Sequence, residues 1–247
     1  MNRIVVITGG TRGIGRAIAE HFLELEDSVA VCSRSDTHSP MPDGVLDQRV
    51  DVRDRDAVAE FQKAVITQWG RLDVWVNAAG VSRWKPIAEV DQAFADEVLA
   101  SSLMGTLWGC AVASEALGTG GAIVNVSSLA GKRGSRNNSV YCAAKFAVNG
   151  ITQSLAKELG AKGIRVNAVC PVYVETDHIQ NSLQESTSPA AGQSVGAYLR
   201  DFAQSQTALQ RLPTAQEVAE TVAFLASEAA SAVTGQCINV DCGTLPQ

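Results

Sequence analysis

The sequence predicts an α/β fold: a doubly wound parallel sheet of about seven strands, with helices on both faces. Three observations lead there. Short runs rich in valine and isoleucine fall at 3–8, 28–32, 46–50, 72–77, 122–126, 165–169 and 237–240. Longer stretches with apolar residues at helical spacing lie between them. Most of the short runs are apolar without alternation, the pattern of strands covered on both sides, as in parallel sheets. With 247 residues the chain suits one domain with a sizeable core, taken as 1–247.

The elements follow in order. After the first run, Ile14, Ala17, Ile18, Phe22 and Leu25 form an apolar stripe at helical spacing. The segment 35–45 carries two prolines and a glycine, too short and broken for a crossover helix, so a loop is expected between strands two and three. The stretches 54–69, 91–117 and 140–160 read as helices, and Thr214 with Glu217 makes a capping box for one more, ending near 227. The stretch 178–213 is polar, rich in serine, glutamine and alanine, with a modest helical pattern around 198–202. Long inserts of this kind are commonly functional, and a substrate lid is expected at about 177–213.

A net charge of −6 argues against binding to nucleic acid or anionic membranes, which needs a basic surface. No apolar stretch is long enough to span a bilayer, and the first residues enter a strand without a signal-peptide core. A cytoplasmic location is the expectation. Cys32, Cys110, Cys142, Cys170, Cys237 and Cys242 are scattered without a metal or redox spacing, and are read as reduced, mostly buried thiols. His21, His38 and His178 form no metal constellation, and only His178, at the start of the lid, is singled out for mutation.

Thr8-Gly9-Gly10-Thr11-Arg12-Gly13-Ile14-Gly15 lies between the first strand and the first helix. Gly9 permits a tight turn, Gly13 a close approach to pyrophosphate, and Gly15 close packing of the helix. The helix N-terminus then offers free N–H groups to phosphate. This is the turn of a Rossmann-type dinucleotide site. An NAD site wants a carboxylate about 20 residues further on, for the ribose 2′-hydroxyl. Ser33 stands there, followed by Arg34. Arg34 and Arg12 can grip a 2′-phosphate through charge-assisted hydrogen bonds, so NADP(H) is the expected cofactor.

Tyr141-Cys142-Ala143-Ala144-Lys145 places a phenol and an ammonium four residues apart on one helix face. A neighbouring cation favours the phenolate, so Tyr141 is expected to shuttle a proton as general acid/base while the cofactor carries hydride. Ser128, 13 residues upstream at the end of a strand, can hold the substrate oxygen.

In this order TGxxxGxG, Asn77-Ala78-Ala79-Gly80, Asn125-Val126-Ser127-Ser128, Tyr141 to Lys145, Pro171 to Thr176 and Thr234-Gly235-Gln236 resemble the short-chain dehydrogenase/reductase family over essentially the whole chain. The resemblance implies an enzyme that moves hydride between a nicotinamide and a carbonyl or secondary alcohol, as a homotetramer or dimer. It places Thr11 and Ile14 in the cofactor turn, Asp51 and Val52 against adenine, and Asn77, Ala78, Ala79 and Gly80 where they steady the sheet beside the cofactor. Thr176 would bond the nicotinamide carboxamide, Pro171 and Val174 join the same site, and Lys145 would also hold the nicotinamide ribose.

Three positions depart from the family pattern. Its tetrad asparagine, in an N-L-x-G sequence, is replaced by Ser102 in Ser102-Leu103-Met104-Gly105, and an altered proton relay is expected there. Val172 stands where Pro-Gly is usual, and Cys242 interrupts the D-G-G near the C-terminus, read as a packing change. These departures keep open a catalytically weak NADP-sensing regulator. The missing crossover helix and the VNAAG wording resemble dihydrodiol-type dehydrogenases, which tend to use NAD, so that alternative also stays. Arg83, Lys85, Lys132, Arg133 and Arg136 fall in loops expected to rim the cleft; they either attract an anionic substrate or are solvated charges. Trp84, Tyr173, Tyr198 and Phe202 are either apolar walls of the site or local core.

Overall fold

The computed structural model describes residues 2–35 and 40–246, so His38 lies outside the described residues. Within them, seven strands pair in parallel: β1 (Ile4–Thr8), β2 (Ser28–Ser33), β3 (Leu46–Arg49), β4 (Val74–Asn77), β5 (Ala122–Val126), β6 (Arg165–Pro171) and β7 (Cys237–Val240). Their spatial order is β3-β2-β1-β4-β5-β6-β7. The chain winds outward from β1 to one edge, returns to β4 beside it, and winds to the other edge. The reversal between β1 and β4 opens a crevice at the strand ends, where ligands of such sheets bind.

The central strands β1, β2, β4 and β5 are mostly apolar because their two faces meet two different cores, whereas the edge strand β3 (Leu-Asp-Gln-Arg) is half exposed. On one face Ile4, Val6, Ala30, Trp75, Ile123 and Val166 pack with side chains of helices α2 (Arg55–Trp69), α4 (Gly105–Ala116) and α5 (Ser139–Leu159). On the other, Val5, Ile7, Val29, Val31, Val74, Val76 and Val124 meet α1 (Gly13–Glu24) and α8 (Ala215–Ala226). Complete burial of one such side chain contributes about 1.5–3 kcal/mol, so the double coverage supplies most of the drive for the sheet. No helix joins β2 to β3 among the described residues, as the prolines predict.

The expected helix over 91–117 is broken into α3 (Gln92–Leu99), a π-helical turn (Ala100–Met104) and α4. The lid holds two helices instead of one, α6 (Asp177–Leu183) and α7 (Val195–Gln206), capped by Thr176 and Ser194. Their weak periodicity is offset by a small separate core of Trp84, Leu183, Ala190 and Leu199, all nearly inaccessible. Thr187 Oγ1 also donates to the Trp84 carbonyl at 2.6 Å, and Asn137 Nδ2 to the Thr187 carbonyl at 3.1 Å. The Cys242 departure is a backbone matter and not one of packing: its φ is +52°, so a side chain occupies a left-handed position that glycine holds without strain.

A buried polar chain crosses the centre. Trp75 Nε1 donates to Asn77 Oδ1 (2.8 Å), Asn77 Nδ2 to Asn125 Oδ1 (2.9 Å), Asn125 Nδ2 to Thr152 Oγ1 (3.0 Å), and Thr152 Oγ1 to the Val148 carbonyl (2.8 Å). It ties β4 and β5 to α5. A Cβ on Gly109 of α4 would overlap Asn77 Oδ1 and crowd Trp75 Nε1. Gly109→Ala is therefore expected to cost about 2–4 kcal/mol, from overpacking plus a broken buried bond. Thermal unfolding checks this; a midpoint within a degree of the parent would show that the chain tolerates displacement.

Candidate active site

The turn after β1 has the geometry its glycines suggest. Gly9 and Gly13 adopt φ of +68° and +54°, where other residues are strained. A Cβ on Gly15 would overlap the Gly9 carbonyl, so the helix can begin this close to the strand only with glycine there. Thr8 Oγ1 accepts from the Ala78 and Ala79 N–H groups, fastening the ends of β1 and β4 together at the switch point. Helices α2, α3, α7 and α8 have side-chain caps from Asp54, Asp91, Ser194 and Thr214. In contrast α1 has none: its N-cap is the extended Arg12, and its first N–H groups are left for a ligand.

One cleft of about 1790 Å³ runs over the C-terminal ends of the strands. Gly9, Thr11, Arg12, Gly13, Ile14, Gly15, Ser33, Arg34, Asp51, Val52, Ala78, Ala79 and Gly80 line it toward β3, and Ser128, Tyr141, Lys145, Pro171, Val174 and Thr176 toward β6. The volume exceeds the ~300–1,000 Å³ of a site for one drug-sized ligand, leaving room for a dinucleotide and a second molecule. Asn77 is the exception in its group. It is buried outside the cleft, in the polar chain under the sheet's end. Thr176 links the two ends, capping α6 while its Cγ2 lies 3.5 Å from where a Cβ on Gly13 would be.

Arg12 and Arg34 have no ion-pair partner among the described residues. Asp51 is held by Arg53, whose Nε lies 2.9 Å from both carboxylate oxygens and keeps that carboxyl below its ordinary range. Asp51 is thereby paired, and Arg12 and Arg34 line the cleft without an ion-pair partner among the described residues.

At the other end α5 brings its polar stripe to the cleft. Tyr141 is half-buried and shares the cleft wall with Ser128, whose hydroxyl acts on the phenol. Lys145 is buried; its Nζ donates to the Val126 carbonyl at 2.8 Å and lies 5.6 Å from the Tyr141 ring centroid. Three further contacts clamp the Ser128 loop to α5. Ser127 Oγ donates to the Lys145 carbonyl (3.3 Å), Asn149 Nδ2 to the Gly131 carbonyl (2.9 Å), and a Cβ on Gly131 would collide with the Lys145 carbonyl. Asn149 is a positioning residue that sequence reasoning missed, although Tyr141, Lys145, Asn149 and Thr152 follow one another at spacings of four, four and three along one helix face.

The electrostatics reverse one expectation. Burial raises Tyr141 to about 12, outweighing the lowering influence of the Ser128 hydroxyl, and burial lowers Lys145 to about 8. In the cleft as it stands the Tyr141 phenol is protonated at neutral pH. The rim departs from its expected charge too. Arg83 pairs with Glu97 and Glu185 at 2.9 and 3.0 Å, and Lys85 with Asp91 at 2.8 Å. Neither lines the cleft, whereas Arg133 and Arg136 do. Trp84 is core of the lid cluster as well as cleft wall, and Tyr173, Tyr198 and Phe202 stack on one another beside it. His178, on α6, is desolvated and lowered, and its Nε2 accepts from the Ser82 N–H at 3.4 Å, joining the lid to the loop after β4.

A sequence profile of the family described as enoyl-(acyl carrier protein) reductase matches residues 9–244. The chain is a short-chain dehydrogenase/reductase. It is 34% identical, over 98% of its length and 97% of the relative's, to the diacetyl reductase [(S)-acetoin forming] of Staphylococcus aureus. Among solved structures it is similar to the ligand-free aldohexose dehydrogenase of Thermoplasma acidophilum (TM-score 0.89, 30% identity, 100% of this chain and 98% of that one). It is also similar to ElxO with NADP bound (TM-score 0.86, 30% identity, all of both chains). Members of the family are oxidoreductases that use a nicotinamide cofactor.

In this short-chain dehydrogenase/reductase the tetrad position holds Ser102, fully buried in the π-helical turn. Its Oγ accepts from the Val81 N–H (3.1 Å) and donates to the Val81 carbonyl (3.0 Å), so its single proton is committed to the strand-end loop. Ser102→Ala is expected to cost about 1–3 kcal/mol in urea unfolding, because both Val81 groups lose a partner. Its turnover should keep the parent's pH profile; a profile that moves would reinstate a proton-relay role.

Proposed function

We propose that the protein is an NADP(H)-dependent carbonyl reductase and alcohol dehydrogenase, with Tyr141 as general acid/base, Ser128 holding the substrate oxygen and Lys145 as the buried cation between them and the nicotinamide ribose. The observation that carries the reading is the sharing of one cleft by an uncapped, glycine-bordered helix N-terminus and by Ser128, Tyr141 and the buried Lys145. The donor set fits the cofactor: open N–H groups of α1 for the pyrophosphate, Arg12 and Arg34 for a 2′-phosphate, Asp51 and Val52 beside adenine, and Pro171, Val174 and Thr176 beside the nicotinamide. Bound there, the dinucleotide supplies or accepts hydride. Similarity to a diacetyl reductase and to an NADP-bound structure supports both halves.

The residues account for the proton side. Ser128 and Tyr141 together donate hydrogen bonds to a carbonyl oxygen, polarising it, and the Tyr141 proton follows as negative charge develops there. Because burial keeps the phenol protonated, the resting site is set for reduction. The segment 177–213 covers the substrate end and excludes water while its two helices stay docked on Trp84.

Titration with NADPH and NADH, followed by fluorescence of the reduced ring, tests the cofactor half. NADPH is expected to bind more tightly, and Arg34→Asp to weaken it on the order of ten- to a hundredfold, the worth of a charge-assisted contact. Preference for NADH would point instead to an NAD-linked dihydrodiol-type dehydrogenase. Tyr141→Phe should retain NADPH binding and lose about 10²–10⁴ in turnover; binding without turnover in the parent would make it a regulator. A pH limb is expected as well. With its pKa lowered to about 8, Lys145 loses its charge as pH rises through that value. The kcat/KM for NADPH, which reports the unliganded protein, should therefore fall above about pH 8. A flat profile through the alkaline range would remove Lys145 from that role.

A further inference from the structure

We propose that the substrate end of the cleft is built for a carboxylate, held by Arg133 together with the spare phenolic proton of the Tyr173–Tyr198 pair, so that the substrates are oxo or hydroxy acids. This rests on the oxidoreductase reading above and names the substrate class of that site.

Arg133 stands in the cleft without a partner among the described residues. It follows Ser128 by five residues, lines the cleft and is half-buried. Of the other basic side chains of the neighbourhood, Arg83 is held by Glu97 and Glu185 and Lys85 by Asp91, while Arg136, also on the cleft wall, is exposed to solvent. Arg133 has no side-chain hydrogen bond or ion pair among the described residues, and its charge acts on the Tyr173 and Tyr198 phenols. The acidic residues lining the cleft are Asp51, taken by Arg53 at the adenosine end, and Asp177 at the start of α6. In a chain of net charge −6, a guanidinium left unmatched inside the cleft is a place for an anion.

The Tyr173–Tyr198 pair has one proton more than it uses. The two phenol oxygens are 3.0 Å apart and share one hydrogen bond. Whichever donates, the other keeps a proton with no acceptor among the described residues. A planar carboxylate can take one oxygen to the guanidinium and the other to that proton, satisfying both. The aromatic stack with Phe202, at 4.9 Å from Tyr173, holds the phenols in place.

In reduction of such a substrate the carbonyl carbon gains hydride from NADPH and its oxygen gains the Tyr141 proton, leaving a hydroxy acid and NADP⁺. The carboxylate takes no part in the bond changes. It sets which carbonyl faces Tyr141.

The test uses matched probes, 3-oxobutanoate and 4-oxopentanoate with their methyl esters, and diacetyl as an uncharged control, all with the NADPH-loaded protein. At least one acid should exceed its ester in kcat/KM by tenfold or more. Arg133→Gln should remove that preference by raising KM for the acid about ten- to a hundredfold with kcat and the ester little changed. Arg133→Lys should restore part of it, and Tyr198→Phe should weaken the acid severalfold. Esters or diacetyl reduced as well as the acids, or a Gln variant that lowers acid and ester alike, would overturn the carboxylate subsite and leave the oxidoreductase reading standing. If nothing is turned over, that reading fails, and thermal shift of the NADPH-loaded protein decides the subsite by itself. Stabilisation by millimolar acid but not ester, lost in Arg133→Gln, supports it; no difference overturns it.

Discussion

Everything at the catalytic end hangs on how helix α5 is fixed against the sheet, and that is done by polar contacts inside an apolar core. Asn77, Asn125 and Thr152 hand one hydrogen bond to the next from β4 to β5 to α5. Each link in a site this dry would leave a costly orphan if broken, so the chain admits one arrangement of strand and helix. Apolar packing alone would tolerate a slide along the sheet; paired carboxamides do not. Tyr141 and Lys145 inherit their positions from that constraint, and the clamp from Asn149 to Gly131 passes it on to Ser128.

A second consequence of the same rigidity is electrostatic. Lys145 is held in a desolvated place with a backbone carbonyl as its acceptor, and Tyr141 close to it, so burial weakens the acidity of one and the basicity of the other. A bound ligand that brings charge to the cleft enters where little water screens it, so it can move both groups in a way a solvated pair would not permit. The site is tuned by what occupies it.

The fold was legible because its signals are local and redundant. The runs at 122–126 and 237–240 coincide with β5 and β7, and Thr214 with Glu217 forms the capping box the spacing implied. The glycine turn and the Tyr141–Lys145 spacing were legible for the same reason. What stayed hidden depends on long-range placement. The break in the 91–117 helix falls at a turn with no proline and with a single glycine, Gly105, only at its end, and the lid helices gain from Trp84 a stability their own periodicity does not carry. The rim charges of Arg83 and Lys85 looked available until Glu97, Glu185 and Asp91 arrived from elsewhere in the chain. The direction of the Tyr141 shift was misread because counting charges along a helix says nothing of how much water they lose.

The reversal of strand order between β1 and β4 does more than open a crevice. Arg12 and Arg34 belong to the half of the sheet wound outward from β1, whereas Arg133, Tyr173 and Tyr198 follow β5 and β6 or ride on the lid. The features proposed to choose the dinucleotide and those proposed to choose the substrate thus stand on opposite sides of a seam, sharing neither a loop nor a core cluster. Evolution can rewrite either preference in surface loops while the catalytic helix and the carboxamide chain between them stay untouched, so one inherited reaction can be offered to new molecules without being reinvented.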